Sequence, residues 1–67
     1  MTKKELGQTI KERRRTLAIS QRELADYMGL SVVTLSQIEG GKANPSFDTL
    51  NEILHYLNLE IKLELRQ

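Results

Sequence analysis

Residues 20–42 read SQRELADYMGLSVVTLSQIEGGK and contain two short helical patterns separated by a glycine. Ser20 and Glu23 have the spacing of a capping box, which predicts that the first helix begins directly after Ser20. Gly29 supplies the left-handed conformation that commonly ends a helix, and Ser31 caps the next one. The segment therefore predicts a helix-turn-helix. The apolar residues expected between its two helices are Leu24, Ala25, Met28, Leu30, Leu35 and Ile38.

Two further helices flank this segment. Thr2 and Glu5 form another capping box, and the apolar spacing behind them predicts a helix over residues 3–17. The turn residues before Ser46 predict that this serine caps a fourth helix. The predicted buried stripes are Leu6, Ile10, Arg14 and Leu17 in the first helix, and Phe47, Leu50, Ile53, Leu54 and Leu57 in the fourth.

The period of the apolar residues changes from 3.6 to 2 in residues 59–66. Its apolar members are Leu59, Ile61, Leu63 and Leu65, with charged residues between them. This alternation predicts a half-buried β-strand. Since no other segment has a strand pattern, the backbone groups of this strand need a partner in another molecule. The sequence predicts an all-α fold of four helices with a C-terminal strand that pairs across a homodimer.

Length and composition limit the classes of function. The chain has 67 residues and no cysteine, which predicts a single domain over residues 1–67 and excludes disulfides and cysteine-zinc sites. A scaffold this small needs further support, and a second copy of the chain is the expected source. No apolar run is long enough to cross a bilayer, and no signal peptide follows Met1. A cytoplasmic, nucleoid-associated protein without a membrane partner is expected.

The charges are strongly polarised although the net charge is only +1. Residues 1–22 carry seven Lys or Arg and two acids, whereas residues 23–67 carry three Lys or Arg and seven acids. Such asymmetry favours a polyanionic partner on one side of the fold. A solvated basic helix face is the other interpretation of the same pattern.

Three motifs resemble those of the phage-repressor family, the Cro/cI or XRE-type helix-turn-helix proteins. They are Ser20-Gln21-x-Glu23-Leu24-Ala25, Ile38-Glu39-x-Gly41-Lys42 and Asn44-Pro45-Ser46, and the resemblance covers residues 6–58. It implies a transcriptional regulator, most simply a repressor, whose partner is double-stranded DNA with a palindromic operator.

The face of the third helix opposite its core residues is the expected base-reading surface. It carries Val32, Val33, Ser36 and Gln37. The valines suit the C5-methyl groups of thymine, Gln37 can bond adenine, and Ser36 can bond either base. A valine that merely helps to close the turn is the competing interpretation.

Phosphate contacts are implied by the same resemblance for Gln21, at the start of the second helix, and for Lys42. The backbone N–H groups of residues 40–44, including that of Asn44, face the same DNA strand in the family. Arg22, Lys11 and Arg15 are candidate outer contacts, although solvated surface cations fit those positions equally well.

Arg14 lies on the apolar stripe of the first helix, where an unpaired cation would be costly. Glu39 matches the family residue that pairs with this arginine, and the pair would lock the first helix to the third. A structural role is favoured, with a shared phosphate contact as the other interpretation.

Enzymatic functions are not expected. His55 is the only histidine and lacks neighbouring ligands at metal-binding spacing, so no metal or other cofactor is predicted. Phosphate loops, nucleophile elbows and paired carboxylates are also absent from the sequence.

The end of the chain, residues 57–65, resembles that of HipB-type antitoxins, in which a strand pairs across the dimer. This resemblance implies an antitoxin that represses its own operon and neutralises a kinase-type toxin. A free-standing dimeric repressor and a protein-interaction module that sequesters a partner protein remain alternatives.

Overall fold

A computed structural model describes residues 1–66, which form four helices and no strand. The helices are α1 (Lys3–Thr16), α2 (Gln21–Met28), α3 (Val32–Glu39) and α4 (Phe47–Tyr56). The predicted helix-turn-helix is confirmed, with α2 and α3 as its two helices. Helix α1 ends one residue before the predicted limit. No helix within residues 1–66 has the length and apolar character needed to cross a membrane.

Each helix begins at a hydroxyl residue that accepts a hydrogen bond from the first turn. The capping boxes predicted at Thr2 and Ser20 are confirmed, because both directions of each box are present. Ser31 and Ser46 cap α3 and α4 through the backbone N–H groups of Thr34 and Thr49. These caps satisfy amides that a helix leaves without partners, so the helix starts follow from the local sequence.

All four helices end in the same way, with one residue in the left-handed conformation just beyond the last turn. The residues are Ala18, Gly29, Gly41 and Asn58, with φ angles of 58°, 69°, 74° and 59°. In each case the following amide donates back to a carbonyl five residues earlier, as in the bond of 3.0 Å from Ile19 to Arg14. This is the Schellman motif. Gly29 and Gly41 adopt this conformation easily. Ala18 and Asn58 adopt it although a side chain makes it sterically unfavourable.

The core lies between the four helices, where α1 packs against α3 and α2 packs against both α3 and α4. Its buried apolar side chains are Ile10, Leu24, Ala25, Leu35, Ile38, Ile53, Leu54 and Leu57. Two residues of the predicted stripes are exposed: Leu17 is 39% exposed and Phe47 is 68% exposed. Both lie at a helix terminus, Leu17 at the C-cap of α1 and Phe47 as the first residue of α4.

Helix α1 contacts the end of α3 at very short range. A Cβ atom added to Gly7 would collide with the backbone carbonyl oxygens of Ile38 and Glu39. A Cβ atom added to Gly41 would lie 2.6 Å from the Cα atom of Lys4. The two glycines therefore let α1 lie directly against α3, which fixes the orientation of α3 relative to the rest of the domain.

The tail, residues 59–66, leaves α4 without regular structure of its own. Its first residue is fixed, because the backbone N–H of Leu59 donates to the carbonyl of Leu54 at 2.8 Å and its side chain packs against the core. Beyond it, Ile61 is 46% exposed, and Leu63 and Leu65 are almost fully exposed. The predicted strand would need a second chain, so the predicted pairing stays a prediction.

Candidate nucleic-acid interface

The outer face of α3 presents three of the four predicted base-reading residues to solvent. Val33, Ser36 and Gln37 are exposed, whereas Leu35, Ile38 and Glu39 on the opposite face are buried. A short helix with one free face is the element that an HTH protein places in the major groove. The structure therefore brings these side chains together on one accessible surface.

Val32 does not belong to this surface. It is half-buried and packs against the core cluster. As the first residue of α3 it lies directly after the turn that joins α2 to α3. Val32 is thus less accessible to a base than Val33, and the thymine-methyl contact predicted for it stays a prediction.

Arg14 and Glu39 form a buried, bidentate ion pair. The Nε and Nη2 atoms of Arg14 donate to the two carboxylate oxygens of Glu39 at 2.7 and 3.1 Å. The remaining Nη1 group donates to the backbone carbonyl of Ile19 at 2.7 Å. The pair joins α1 to the last turn of α3, and the third bond joins it to the segment that leads into α2. Such a fully bonded arrangement compensates the loss of hydration of the two charges.

Gln21 is part of the same network. Its side-chain Nε2 donates to Oε1 of Glu39 at 3.0 Å, and the residue is half-buried. The family resemblance implies a phosphate contact for Gln21 and gives no indication of this bond. Glu39 therefore orients a residue at the N-terminus of α2 while it also holds Arg14. The spacing of 18 residues between Gln21 and Glu39 gives no local signal from which the bond could be predicted.

The loop after α3 differs from the expectation of free backbone amides. The N–H groups of Gly40, Gly41 and Lys42 donate to the carbonyls of residues 36, 38 and 37 at 2.9, 3.1 and 2.9 Å. These bonds complete the end of α3, so the three amides are not free to bind a phosphate. The side chains of Lys42 and Asn44 are exposed and remain available for that contact.

The candidate outer cations lie around this surface. Arg22 and Arg15 are exposed, and Lys11 is half-buried. None of the three forms an ion pair within residues 1–66, where the pairs are Arg14 with Glu39 and Lys62 with Glu60. The positive charge of the N-terminal third is therefore largely available to a partner.

The capping box of α2 also perturbs an acid near this surface. Hydrogen bonds from the backbone N–H of Ser20, and then from its hydroxyl, hold the pKa of Glu23 below its ordinary value. The ionised carboxylate lies at the N-terminus of α2, where a negative charge is favourable. This effect supports the start of the helix that carries Gln21.

A cluster of metal-ligating side chains is not found in residues 1–66. No group of three or more His, Cys, Asp or Glu side chains there could hold a metal ion. His55 is exposed in the last turn of α4. Every buried side-chain nitrogen or oxygen in this part of the chain has a hydrogen-bond partner, so no polar group awaits a ligand inside the domain.

Comparison with known proteins agrees with this geometry. A family model described as helix-turn-helix matches residues 10–63. The ImmF control region 10 kDa protein of Bacillus phage phi105 is 38% identical over 60 residues, which cover 90% of this chain and 67% of the phage protein.

Uncharacterized HTH-type transcriptional regulators of two Mycobacterium tuberculosis strains, CDC 1551 and H37Rv, are each 37% identical over 57 residues. The matched region covers 85% of this chain and 41% of each mycobacterial protein. The chain thus spans about two thirds of the phage relative and less than half of the mycobacterial ones.

Proposed function

The chain belongs to the Cro/cI-type helix-turn-helix family, and from this premise we propose that it is a transcriptional repressor that binds a palindromic DNA operator as a homodimer. DNA binding and transcriptional regulation follow from the family and from its relatives. The observation that carries the proposal is the free face of α3, held in place by the buried pair of Arg14 and Glu39.

Base recognition is assigned to Val33, Ser36 and Gln37. Gln37 offers both a donor and an acceptor, which match the N6 and N7 atoms of adenine in the major groove. Ser36 can bond either base, and Val33 offers apolar contact to a thymine methyl group. Because this face has few hydrogen-bonding groups, part of the specificity comes from the shape and deformability of the operator.

Phosphate binding is assigned to groups beside that face. Gln21 lies at the N-terminus of α2, where backbone N–H groups and the helix dipole favour an anion. The exposed side chains of Lys42 and Asn44 lie just beyond α3, and Arg22 lies next to Gln21. These contacts position the protein on the duplex without reading its sequence.

Homodimerisation is assigned to the tail. Ile61, Leu63 and Leu65 expose apolar side chains that a second strand would cover. An antiparallel pair around a two-fold axis would also satisfy the backbone groups of both strands. A two-fold dimer reads two half-sites about one helical turn apart, which is why a palindromic operator is proposed.

An antitoxin role is the finer part of the proposal. The tail is similar to that of HipB-type antitoxins, and on this resemblance the chain would neutralise a kinase-type toxin. Co-expression with a kinase-type protein encoded beside its gene tests this directly. A stable complex in size-exclusion chromatography supports the antitoxin role, whereas separate elution supports a free-standing repressor.

Footprinting on the DNA upstream of its own gene tests the repressor itself. We expect a protected palindrome, and preference for it over random DNA at moderate salt. Gln37→Ala should reduce that preference by about 1–3 kcal/mol, and Val33→Ala by less. Lys42→Ala should weaken binding to operator and random DNA equally.

Equal binding of operator-sized and random fragments would contradict the repressor and favour the protein-interaction module. A Lys42→Ala variant with altered base preference, beside a Gln37→Ala variant with uniformly lower affinity, would invert the assignment of the two surfaces.

A further inference from the structure

The side chain of Arg13 joins α1 to the point at which the tail leaves the helices. Its Nε atom donates to the backbone carbonyl of Leu57 at 2.9 Å. Leu57 is the completely buried C-cap of α4, and carbonyl oxygens at a helix C-terminus have no partner within the helix. Arg13 is half-buried and forms no ion pair within residues 1–66. Its guanidinium therefore supplies a charged donor at a helix end where a cation is favourable.

The carbonyl that Arg13 holds belongs to the peptide group between Leu57 and Asn58. Asn58 adopts the left-handed conformation, with a φ angle of 59°, and turns the chain out of α4. Directly after it, the N–H of Leu59 donates to the carbonyl of Leu54 at 2.8 Å. A donor on the peptide group before this bend limits its rotation. The direction in which residues 59–66 leave α4 is therefore fixed relative to α1.

The neighbouring residue of α1 holds the other end of this connection. Arg14 donates to both carboxylate oxygens of Glu39, in the last turn of α3. Helix α1 packs against α3, whereas α4 packs against α2. The Cα atoms of adjacent residues are only about 3.8 Å apart. Two consecutive arginines of α1 thus connect the end of α3 and the start of the tail through one short piece of backbone.

In a dimer paired through its tails, the direction of each tail decides how the two copies of α3 are placed. Each base pair added between two half-sites moves them apart by about 3.4 Å and rotates one relative to the other by about 35°. Resting on the homodimeric operator binding proposed above, we propose that Arg13 is a positioning residue that selects the spacing between the two half-sites. It acts through the carbonyl of Leu57, and this role needs no contact between Arg13 and DNA.

Two substitutions separate the hydrogen bond from the charge. Glutamine carries its side-chain nitrogen on Cδ, as arginine carries Nε, so Arg13→Gln keeps an N–H donor at that position and removes the charge. Arg13→Met removes the same charge and places a methyl group there. Lys3→Met is the control for charge alone, because it removes one positive charge from an exposed residue of α1.

Spacing selectivity is measured by fluorescence anisotropy with the palindrome found by footprinting and with duplexes whose spacer is one base pair longer or shorter. Wild type, Arg13→Gln and Lys3→Met should prefer the best spacer by about tenfold, because a wrong spacer forces the duplex to deform. In Arg13→Met the preference should fall to about twofold, because the two copies of α3 can then adapt to either duplex. Affinity for a single half-site should be the same in Arg13→Met and Arg13→Gln.

A second measurement follows the dimer without DNA. The chain has no cysteine, so Asp26→Cys on the exposed side of α2 accepts one spin label in each copy. Double electron–electron resonance then gives the distance between the two labels. We expect one narrow distribution in the wild-type and Arg13→Gln backgrounds and a broader one in Arg13→Met. Thermal unfolding verifies that each variant is folded.

Equal spacing selectivity in Arg13→Met and Arg13→Gln would overturn the role of this bond while leaving operator binding in place. A wild-type protein that prefers no palindrome over random DNA would instead overturn the proposed function, and the role of Arg13 with it.

Discussion

The helix-turn-helix and the tail both carry regular apolar patterns. They differ in how far their apolar side chains and backbone polar groups are buried or hydrogen-bonded within the chain. In residues 20–42 the caps, the turn and the core residues are all satisfied within the chain, and Leu24 and Leu35 are completely buried. In the tail Leu63 and Leu65 are 94% and 97% exposed. The comparison teaches that one chain is enough to build the helix-turn-helix, whereas the tail leaves its apolar side chains exposed and forms a strand only on the proposed pairing with a second copy.

The largest loss of stability is expected from breaking the buried ion pair of Arg14 and Glu39, which joins α1 to α3. Arg14→Ala or Glu39→Ala leaves one buried charge without a partner, which should lower the free energy of unfolding by about 3–5 kcal/mol. Urea denaturation followed by circular dichroism measures the loss. Glu39→Ala also frees Gln21, so both stability and phosphate binding should suffer in this variant.

The double variant sharpens this result. With both charges removed, no uncompensated charge is left, and the total loss should be smaller than the sum of the two single losses. Strictly additive losses would show that the two residues stabilise the domain independently.

The second-largest effect is expected in the tail. A substitution there should change the dimer dissociation constant and not the free energy of unfolding. Leu63→Ser removes an apolar side chain from both copies, at about 1.5 kcal/mol each, so the dimer dissociation constant should rise about 100-fold. Analytical ultracentrifugation measures it. Val33→Ser, which alters an exposed apolar residue of α3, should leave dimerisation unchanged. A wild-type protein that is monomeric at micromolar concentration would contradict the strand pairing.

The register of that pair can be tested separately. A dyad at Leu63 sets Lys62 opposite Glu64 and Glu60 opposite Arg66, all of opposite sign, whereas a dyad at Lys62 opposes like charges. Leu63→Cys should therefore cross-link the dimer under oxidation, and Lys62→Cys should not. The reverse result would move the dyad to Lys62.

The third effect probes the contact between α1 and α3. Gly7→Ala introduces a Cβ atom into the carbonyl oxygens of Ile38 and Glu39, and the overpacking should cost about 1–3 kcal/mol. Alanine is the better helix former by about 1 kcal/mol, so a destabilised variant identifies the contact itself. Gln8→Ala on the exposed neighbouring position is the control. A more stable Gly7→Ala variant would show that α1 can move away from α3 at no cost.

The smallest effect compares the two helix ends that lead into these regions. Ala18 and Asn58 hold the same left-handed conformation, before α2 and before the tail respectively. Ala18→Gly should raise stability by about 0.5–1 kcal/mol, because glycine adopts this conformation without steric cost. Asn58→Gly should gain less, since asparagine tolerates it better than alanine. Thermal unfolding measures both, and an equal or larger gain at Asn58 would contradict this order.

Local patterns predicted most of the fold from the sequence. The helix starts at Thr2, Ser20, Ser31 and Ser46 depend on hydroxyls bonded within three residues, so they can be predicted without tertiary information. The Schellman ends at Ala18 and Asn58 could not, because neither residue favours that conformation as glycine does. The exposure of Phe47 was also missed, since helical spacing alone does not show that a terminal residue lies beyond the core.

The candidate site was predicted in part for the same physical reason. The face of α3 follows from its periodicity, which marks Val33, Ser36 and Gln37 as outward. The packing of Val32, the bond from Gln21 to Glu39 and the role of Gly7 depend on contacts between helices far apart in sequence. The hydrogen bonds of the backbone amides after α3 depend on the conformation of the residue that ends the helix. Because Gly41 can adopt several backbone conformations, the sequence alone does not predict these bonds.

Within residues 1–66, Leu59 carries the last backbone amide that is hydrogen-bonded inside the chain. On the proposed strand pairing, this would make the activity of the protein depend on its concentration in the cell. On this pairing, a second copy supplies the backbone partners beyond Leu59, and the population of paired tails then rises with the square of the monomer concentration when dimers are scarce. A two-half-site operator would then respond to gene dosage and degradation as sharply as to any small molecule. A repressor of its own gene built in this way would hold its own level near the threshold at which the tails pair.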